Sequence, residues 1–375
     1  MTDTVYFPDY THSILNISNT ILKHYGVKTD YPALPLLARA LKAGYKNVVL
    51  WILDGMGVDM ITHNLSAHSF LRQHIIDEVS SVFPPTTTSA TTTYYSALPP
   101  AVHGWVGWSP YFPEANRYIE LFTGKDSFTK EDTGISGWKN LPYQHLFDQI
   151  QATGTNLTCT EIMPKKIRPN GVETFQEQAR SIIAQAKQDG RQFIVAYWAD
   201  PDHTAHHTGT YSADTIQVLR DLNHTVRQAC TRLQDTLVII SADHGHIPIS
   251  DFVMINDLPE LKNCLAHPIN MDDRVCSVFL KKGAETTFKK AFEKYLAKDF
   301  MLLRNADAIK QKLFGPGEPH PRLKEYLGDY LIIATGERVL RQRIGEFTSG
   351  PLTFKSAHAG LTKREMVVPL ILVQT

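Results

Sequence analysis

The chain has 375 residues, 43% of them apolar and 20% charged, an ordinary globular composition with enough length to bury a core without disulfides. Lys and Arg together number 38, as do Asp and Glu, so the formal net charge is zero. That argues against a nucleic-acid polymer as partner, a basic membrane patch or an acidic tail.

At roughly 150 residues per domain, the length fits two or three domains, or one large α/β unit with an insertion. The N-terminal run MTDTVYFPDYTHSILNISNTILKHYG has no basic stretch followed by a continuous apolar one, so no signal peptide is expected. No segment approaches the roughly 18 consecutive apolar residues of a membrane span. The cysteines, at 159, 230, 264 and 276, form no CxxC pair and read as buried thiols in a reducing compartment. Together these features predict a soluble protein of the cytoplasm.

Within residues 13–25, Ile14, Leu15, Ile17, Ile21 and Leu22 fall at helical spacing, and Gly26 closes the segment. Asn47–Leu53 (NVVLWIL), Phe193–Trp198 (FIVAYW) and Leu237–Ile240 (LVII) are continuous apolar runs. Such runs predict buried parallel strands in a sheet covered on both faces. Ile216, Leu219, Val226, Cys230 and Leu233 mark a helix over 213–233. The texture then changes. A strand-like VCSVFL (275–280), a helical 285–298, a short helix near 306–313, the turn GPGEPHP (315–321) and a strand-like DYLIIA (329–334) follow one another. Val367–Val373 is a fourth apolar run of the parallel-strand kind. The expected fold is α/β, a mostly parallel sheet with helices on both faces. Residues 1–250 plus 343–375 would form the core, and 251–342 a smaller α+β cap.

Each of three predicted strands is followed by an Asp: Asp54 in LDGMG, Asp202 in ADPDHTAHHTG and Asp243 in ADHGH. In open α/β sheets ligands bind beyond the carboxyl ends of the strands. Asp202 and His206 are four apart, which one helical turn places on one face. His244 adjoins Asp243, and His358 stands in the small-residue loop SAHAGL before the last strand. One such Asp alone reads as a helix cap. Three acidic strand ends flanked by imidazoles are not explained by capping, and carboxylates gathered there repel one another unless a cation lies between them. The stretch SVFPPTTTSATTTYYSALPPAVHGWVGW (81–108) adds a Thr run at the start of a predicted helix. There a hydroxyl meets unpaired N–H groups and a positive dipole end. The run by itself does not say which Thr matters.

These pieces resemble the alkaline phosphatase superfamily, and within it the nucleotide pyrophosphatase/phosphodiesterase-like branch. The matching motifs are LDGMG (53–57), FPPTTT…LPPAVHG (83–104), PDHTAH (201–206), ADHGH (242–246) and AHAGL (357–361), in the family's order. The resemblance implies two divalent metals, Zn²⁺ or else Mn²⁺. Asp202, His206 and His358 would hold one; Asp54, Asp243 and His244 would hold the other, with Thr87 beside it as the nucleophile and a further metal contact. Two departures stand out. The diesterase branch carries an Asn three positions after the nucleophile, where this chain has Ala90, and Ala205 replaces a Gly.

The implied activity is a two-metal phosphoester hydrolase passing through a phospho-threonine, acting as a phosphodiesterase or nucleotide pyrophosphatase on small soluble phosphoesters. A phosphomonoesterase or phosphomutase is the alternative enzyme, and a silent metal-binding module the alternative outside enzymes. Trp105 and Trp108 are candidates to stack on a base or to pack. His103 reads as a turn former, Asp200 as a turn residue, and Lys355 as solvated. His207 and His246 adjoin the implied ligands, either behind them or facing solvent. The oligomeric state is not legible.

Overall fold

The computed structural model describes residues 5–375; the first four residues of the N-terminal run read above lie outside the described residues. Helix α1 (Ile14–His24) opens the chain, and Asn16 Oδ1 accepts the Ser13 N–H at its start. Strands β1 (Asn47–Leu53) and β2 (Ile75–Ser80) follow, then helix α2 (Thr87–Ser96) and strand β3 (Thr158–Ile162). Next come α3 (Phe175–Ala186), β4 (Gln192–Trp198), α4 (Asp202–Thr208), α5 (Ala213–Cys230) and β5 (Thr236–Ser241). A second region holds β6 (Asn270–Met271), β7 (Val275–Val278), β8 (Phe300–Arg304) and β9 (Tyr330–Ala334), and β10 (Val367–Gln374) closes the chain.

The central sheet has the order β2-β10-β5-β1-β4-β3. All seven residues of β1 and all six of β5 are buried, because each side chain meets a covering layer whichever way the pleat turns it. Helix α3 illustrates how the cover is fixed. Thr174 Oγ1 accepts the Glu177 N–H at 3.2 Å, Glu177 Oε2 accepts the Thr174 N–H at 3.2 Å, and Ile182 and Ile183 turn inward. This reciprocal cap satisfies two orphan donors.

The last strand departs from expectation. Val367–Val373 is a buried strand, yet β10 runs antiparallel to both neighbours, β2 and β5. A continuous apolar run reports burial on two faces and carries no signal of direction. The helix expected over 213–233 ends at Cys230. Strands β2 and β3 give no apolar run, since they lie at the sheet edges with half-exposed residues.

The second sheet is antiparallel, in the order β6-β7-β9-β8. It has its own apolar cluster, with Phe288, Ile332 and Leu340 buried. One buried ion pair ties it to the short helix, Lys363–Met366, that precedes β10. Arg274 Nε lies 2.6 Å from Glu365 Oε1, and both side chains are fully buried. Arg274 also donates to the carbonyls of Gly336 and Arg338, while Glu365 accepts from Gly360 N–H and the Thr362 hydroxyl.

Removing one member of a satisfied buried pair leaves an uncompensated charge. We therefore expect Glu365→Ala to lower stability by about 3–5 kcal/mol, measured by urea unfolding. A loss of under about 1 kcal/mol, the size expected of an exposed pair, would contradict this account of the tie.

Candidate metal centre and flanking cavities

The parallel register sets the site. Leu53 pairs with Trp198, and Ile52 with Ser241, so β1, β4 and β5 end on one line. The residues just beyond them are Asp54, the 199–202 turn and Asp243. Backbone bonds fix their approach: Asp54 N–H donates to Trp198 O, and Asp202 N–H to Asp54 O, at 2.9 and 3.0 Å. Asp243 Oδ1 accepts from Gly55 N–H and His244 N–H, both at 3.0 Å. The turns need glycine. Gly55 has φ +71°, and a Cβ there would sit 2.8 Å from the His246 ring; a Cβ on Gly245 would lie 2.0 Å from Arg364 O.

Two overlapping clusters result. Ligating atoms of Asp54, Asp243 and His244 lie within 4.8 Å of one another, and so do those of Asp202, His244, His246 and His358. His206 flanks the second cluster, with Nε2 3.3 Å from Asp202 Oδ1. Three rings are held in the same manner. Nδ1 of His206, His244 and His358 faces the carbonyl of Ser356, Gly245 and Pro85, at 2.8, 3.1 and 3.1 Å. A carbonyl only accepts, so each Nδ1 carries a proton and Nε2 is the nitrogen left to face a cation.

The electrostatics show what the clusters lack. Burial, then Asp243 and Asp202, pushes the Asp54 carboxyl well above the usual range, although Tyr197 donates to its Oδ2. Burial would do the same to Asp202, yet His206 and His246 hold it well below that range. Burial opposes a charge on His206, and Asp202 still holds that ring up to about 9. Burial, reinforced by His244, pushes His358 well below its ordinary value. Asp54 Oδ1 and Asp243 Oδ2 are buried with no hydrogen-bond partner. Buried carboxylate oxygens without donors, beside imidazole Nε2 atoms, fit divalent cations.

Thr87 is the first residue of α2, and its Oγ1 lies 3.4 Å from His244 Nε2. The helix has no side-chain cap at Thr86, so its first-turn N–H groups remain available to an anion. Ala90 is fully buried and offers no donor. Ala205 sits within α4, where helical backbone suits alanine as well as glycine.

Two cavities meet at Thr87, Asp202 and Trp108. The larger, about 630 Å³, runs past Asp54 and Tyr197 to Phe122, Trp138, Tyr143 and the cations Lys166 and Arg168. Phe122 and Trp138 stack at 5.8 Å, and Arg168 lies over Trp138 at 6.0 Å. The smaller, about 340 Å³, passes His206 and His358 to Glu120, Lys130, Asp272 and Asp273. Burial, helped by Asp273, pushes the Asp272 carboxyl up to about 6.

All seven residues singled out from the sequence therefore face one centre, and the others sort themselves. Trp105 is buried in an apolar cluster, whereas Trp108 lines both cavities. His103 Nδ1 accepts the Trp105 N–H, and Asp200 accepts from Thr204, so both shape turns. His207 is exposed and Lys355 lies outside both cavities. His246 carries more than its motif suggested: it is buried, its Nε2 lies 2.6 Å from Asp202 Oδ1, and its Nδ1 3.1 Å from Ser356 Oγ. The i, i+2 spacing of His244 and His246 was the available signal, since extended backbone aims alternate residues to one side. Tyr197, Glu120 and Asp272 gave no signal in sequence.

Because His246 bonds Asp202 and not a bulk solvent group, we expect His246→Ala to weaken metal binding by about 10- to 100-fold, read by chelator competition. Unchanged affinity would make His246 a packing residue only.

The profile of the family described as type I phosphodiesterase / nucleotide pyrophosphatase matches residues 48–347, a span that includes every site residue except His358. No curated protein sequence matches the chain. Among solved structures, murine ectonucleotide pyrophosphatase/phosphodiesterase 5 is similar, with a TM-score of 0.62 and 15% identity over 86% of this chain and 87% of that one. An inactive variant of the murine protein, in complex with AMP, gives a TM-score of 0.61 at 15% identity and the same coverage. The human counterpart gives 0.62 at 17% identity over 87% of each chain. At these identities the likeness is one of fold, and the assignment rests on the profile. The chain belongs to the type I phosphodiesterase / nucleotide pyrophosphatase family and is thereby a metal-dependent phosphoester hydrolase.

Proposed function

We propose that the chain is a two-metal phosphodiesterase that uses Thr87 as its nucleophile and acts on small nucleotide-like phosphodiesters. The observation that carries this reading is the Thr87 hydroxyl set against His244, beside buried carboxylate oxygens of Asp54 and Asp243 that have no hydrogen-bond partner. Asp54, Asp243 and His244 would hold one ion; Asp202, His206 and His358 would hold the other, with His246 orienting Asp202. Zinc suits this mixture of oxygen and imidazole donors. When bound, such ions lower the pKa of a coordinated hydroxyl and offset charge on attacking and leaving oxygens.

The chain's own groups do the rest. Thr87 Oγ attacks phosphorus, the ester oxygen opposite departs, and a phospho-threonine remains. Its hydrolysis returns Thr87. The first-turn N–H groups of α2 face a phosphoryl oxygen and stand in for the donor that Ala90 lacks. The aromatic cavity suits a base, stacked on Phe122 and Trp138. The AMP complex of the murine relative supports a nucleoside monophosphate as part of the substrate.

The test compares bis-p-nitrophenyl phosphate with p-nitrophenyl phosphate in zinc-supplemented buffer. We expect the diester to be preferred, and Thr87→Ala to lower its turnover by at least about 10³-fold with metal content unchanged. A monoester preference would move the protein to the phosphatase or mutase side. Activity independent of Thr87 would overturn the nucleophile. Elemental analysis is expected to find zinc bound, and chelation to lower the melting temperature; a metal-free protein indifferent to chelator would overturn the metal centre.

A further inference from the structure

We propose that the smaller cavity is the leaving-group subsite and that it accepts an alcohol without negative charge, making the preferred substrate a phosphodiester and not a polyphosphate. This rests on the Thr87 diesterase reading above. In an in-line displacement the attacking and departing oxygens lie on opposite sides of phosphorus. The Thr87 hydroxyl lies against His244, on the side of Asp54 and Asp243. The departing oxygen therefore faces Asp202, His206 and His358, and those residues line the smaller cavity. The retained group is left with the larger, aromatic cavity on the Asp54 side. The Thr87 Oγ–P bond forms as the P–O bond to the alcohol breaks, and the proton lost from Thr87 is matched by one gained on the departing oxygen.

The charge of that wall decides what departs. Glu120, Asp272 and Asp273 face the cavity, and Lys130 is its only lining lysine or arginine among the described residues. Lys130 Nζ is already 2.6 Å from Glu120 Oε1. Asp273 is held from behind by buried Arg341, at 2.8 Å. Asp272 Oδ2 accepts the Trp108 N–H and Oδ1 the Asp273 N–H, with no ion pair among the described residues. Beyond the ion that Asp202, His206 and His358 would hold, a departing pyrophosphate would meet carboxylates and no uncommitted side-chain cation. A neutral or ammonium-bearing alcohol would meet acceptors and the exposed face of Trp108, 37% accessible. The contrast lies across the centre, where the larger cavity is edged by Lys166 and by Arg168, the latter 3.6 Å from its one lining carboxylate partner, Glu161.

The test uses two thymidine 5′-phosphates that share the retained group: the p-nitrophenyl diester and thymidine triphosphate. Binding to the metal-loaded Thr87→Ala protein is measured by calorimetry, so that intrinsic reactivity does not enter, and kcat/KM is measured on wild type. We expect the diester to bind at least about tenfold more tightly than the triphosphate. In the Thr87→Ala background, Glu120→Gln, which frees Lys130, should narrow that gap, and Lys130→Ala should widen it. Lys130 is exposed, so its removal threatens no core and keeps the test sound should Glu120→Gln fail to fold. Equal or tighter binding of the triphosphate, or a gap that neither substitution moves, would overturn the inference while leaving Thr87-dependent diester hydrolysis intact. Failure of wild type to hydrolyse either compound through Thr87 would instead overturn the diesterase reading, and the inference with it.

Discussion

Three carboxylates are forced into one small buried volume, and the rest of the structure accommodates that fact. Asp54, Asp202 and Asp243 stand where they do because β1, β4 and β5 run parallel and end in register. Like charges so placed cannot all ionise without a countercharge. The chain supplies part of it through His206 and His246 on Asp202, and leaves two oxygens unmet. Gly55 and Gly245 exist to let the backbone turn tightly enough for this convergence. The carbonyls of Ser356, Gly245 and Pro85 aim the imidazole Nε2 atoms at the same point. A stability-driven design would avoid such a cluster; a catalyst requires it.

The second sheet is bound to this centre through one short turn. Asp272 and Asp273 form part of the smaller cavity's wall, and the next residue is the buried Arg274 that grips Glu365. Glu365 in turn orders Gly360 and Thr362, in the loop that carries His358. The cavity wall and the histidine loop are thus linked through the adjoining Arg274 and its charge-assisted bonds to Glu365. Arg341 pairs with Asp273 from inside, where its own side chain is almost fully buried.

Much of the centre was legible in sequence because its physics is local. An apolar run ending in Asp describes a buried strand with a polar tip, and three such runs announce a sheet edge carrying negative charge. The Asp202 and His206 pair obeys helical spacing and lies on α4. What stayed hidden depends on neighbours remote in sequence. The direction of β10 is set by where the chain re-enters the sheet, and its residues would look the same either way. The importance of His246 comes from Asp202, 44 positions away. Both cavities gather side chains from segments without a shared period: Phe122 and Trp138 precede β3, Lys166 follows it, and Asp272 belongs to the second sheet. Family resemblance, not spacing, singled out Thr87 from its run of neighbours.

The position of β10 has a consequence for how the molecule comes into being. It lies between β2 and β5, inside the central sheet and next to its edge strand, although residues 367–374 leave the ribosome after every other strand described here. Until they emerge, β5 and β2 each present an open edge of unpaired backbone groups. The nascent chain thus holds an incomplete sheet through nearly its whole synthesis, the state in which exposed edges pair wrongly with other chains. Without residues 367–374 the central sheet is left as a four-stranded β5-β1-β4-β3 unit and a separate β2, with no strand to join them.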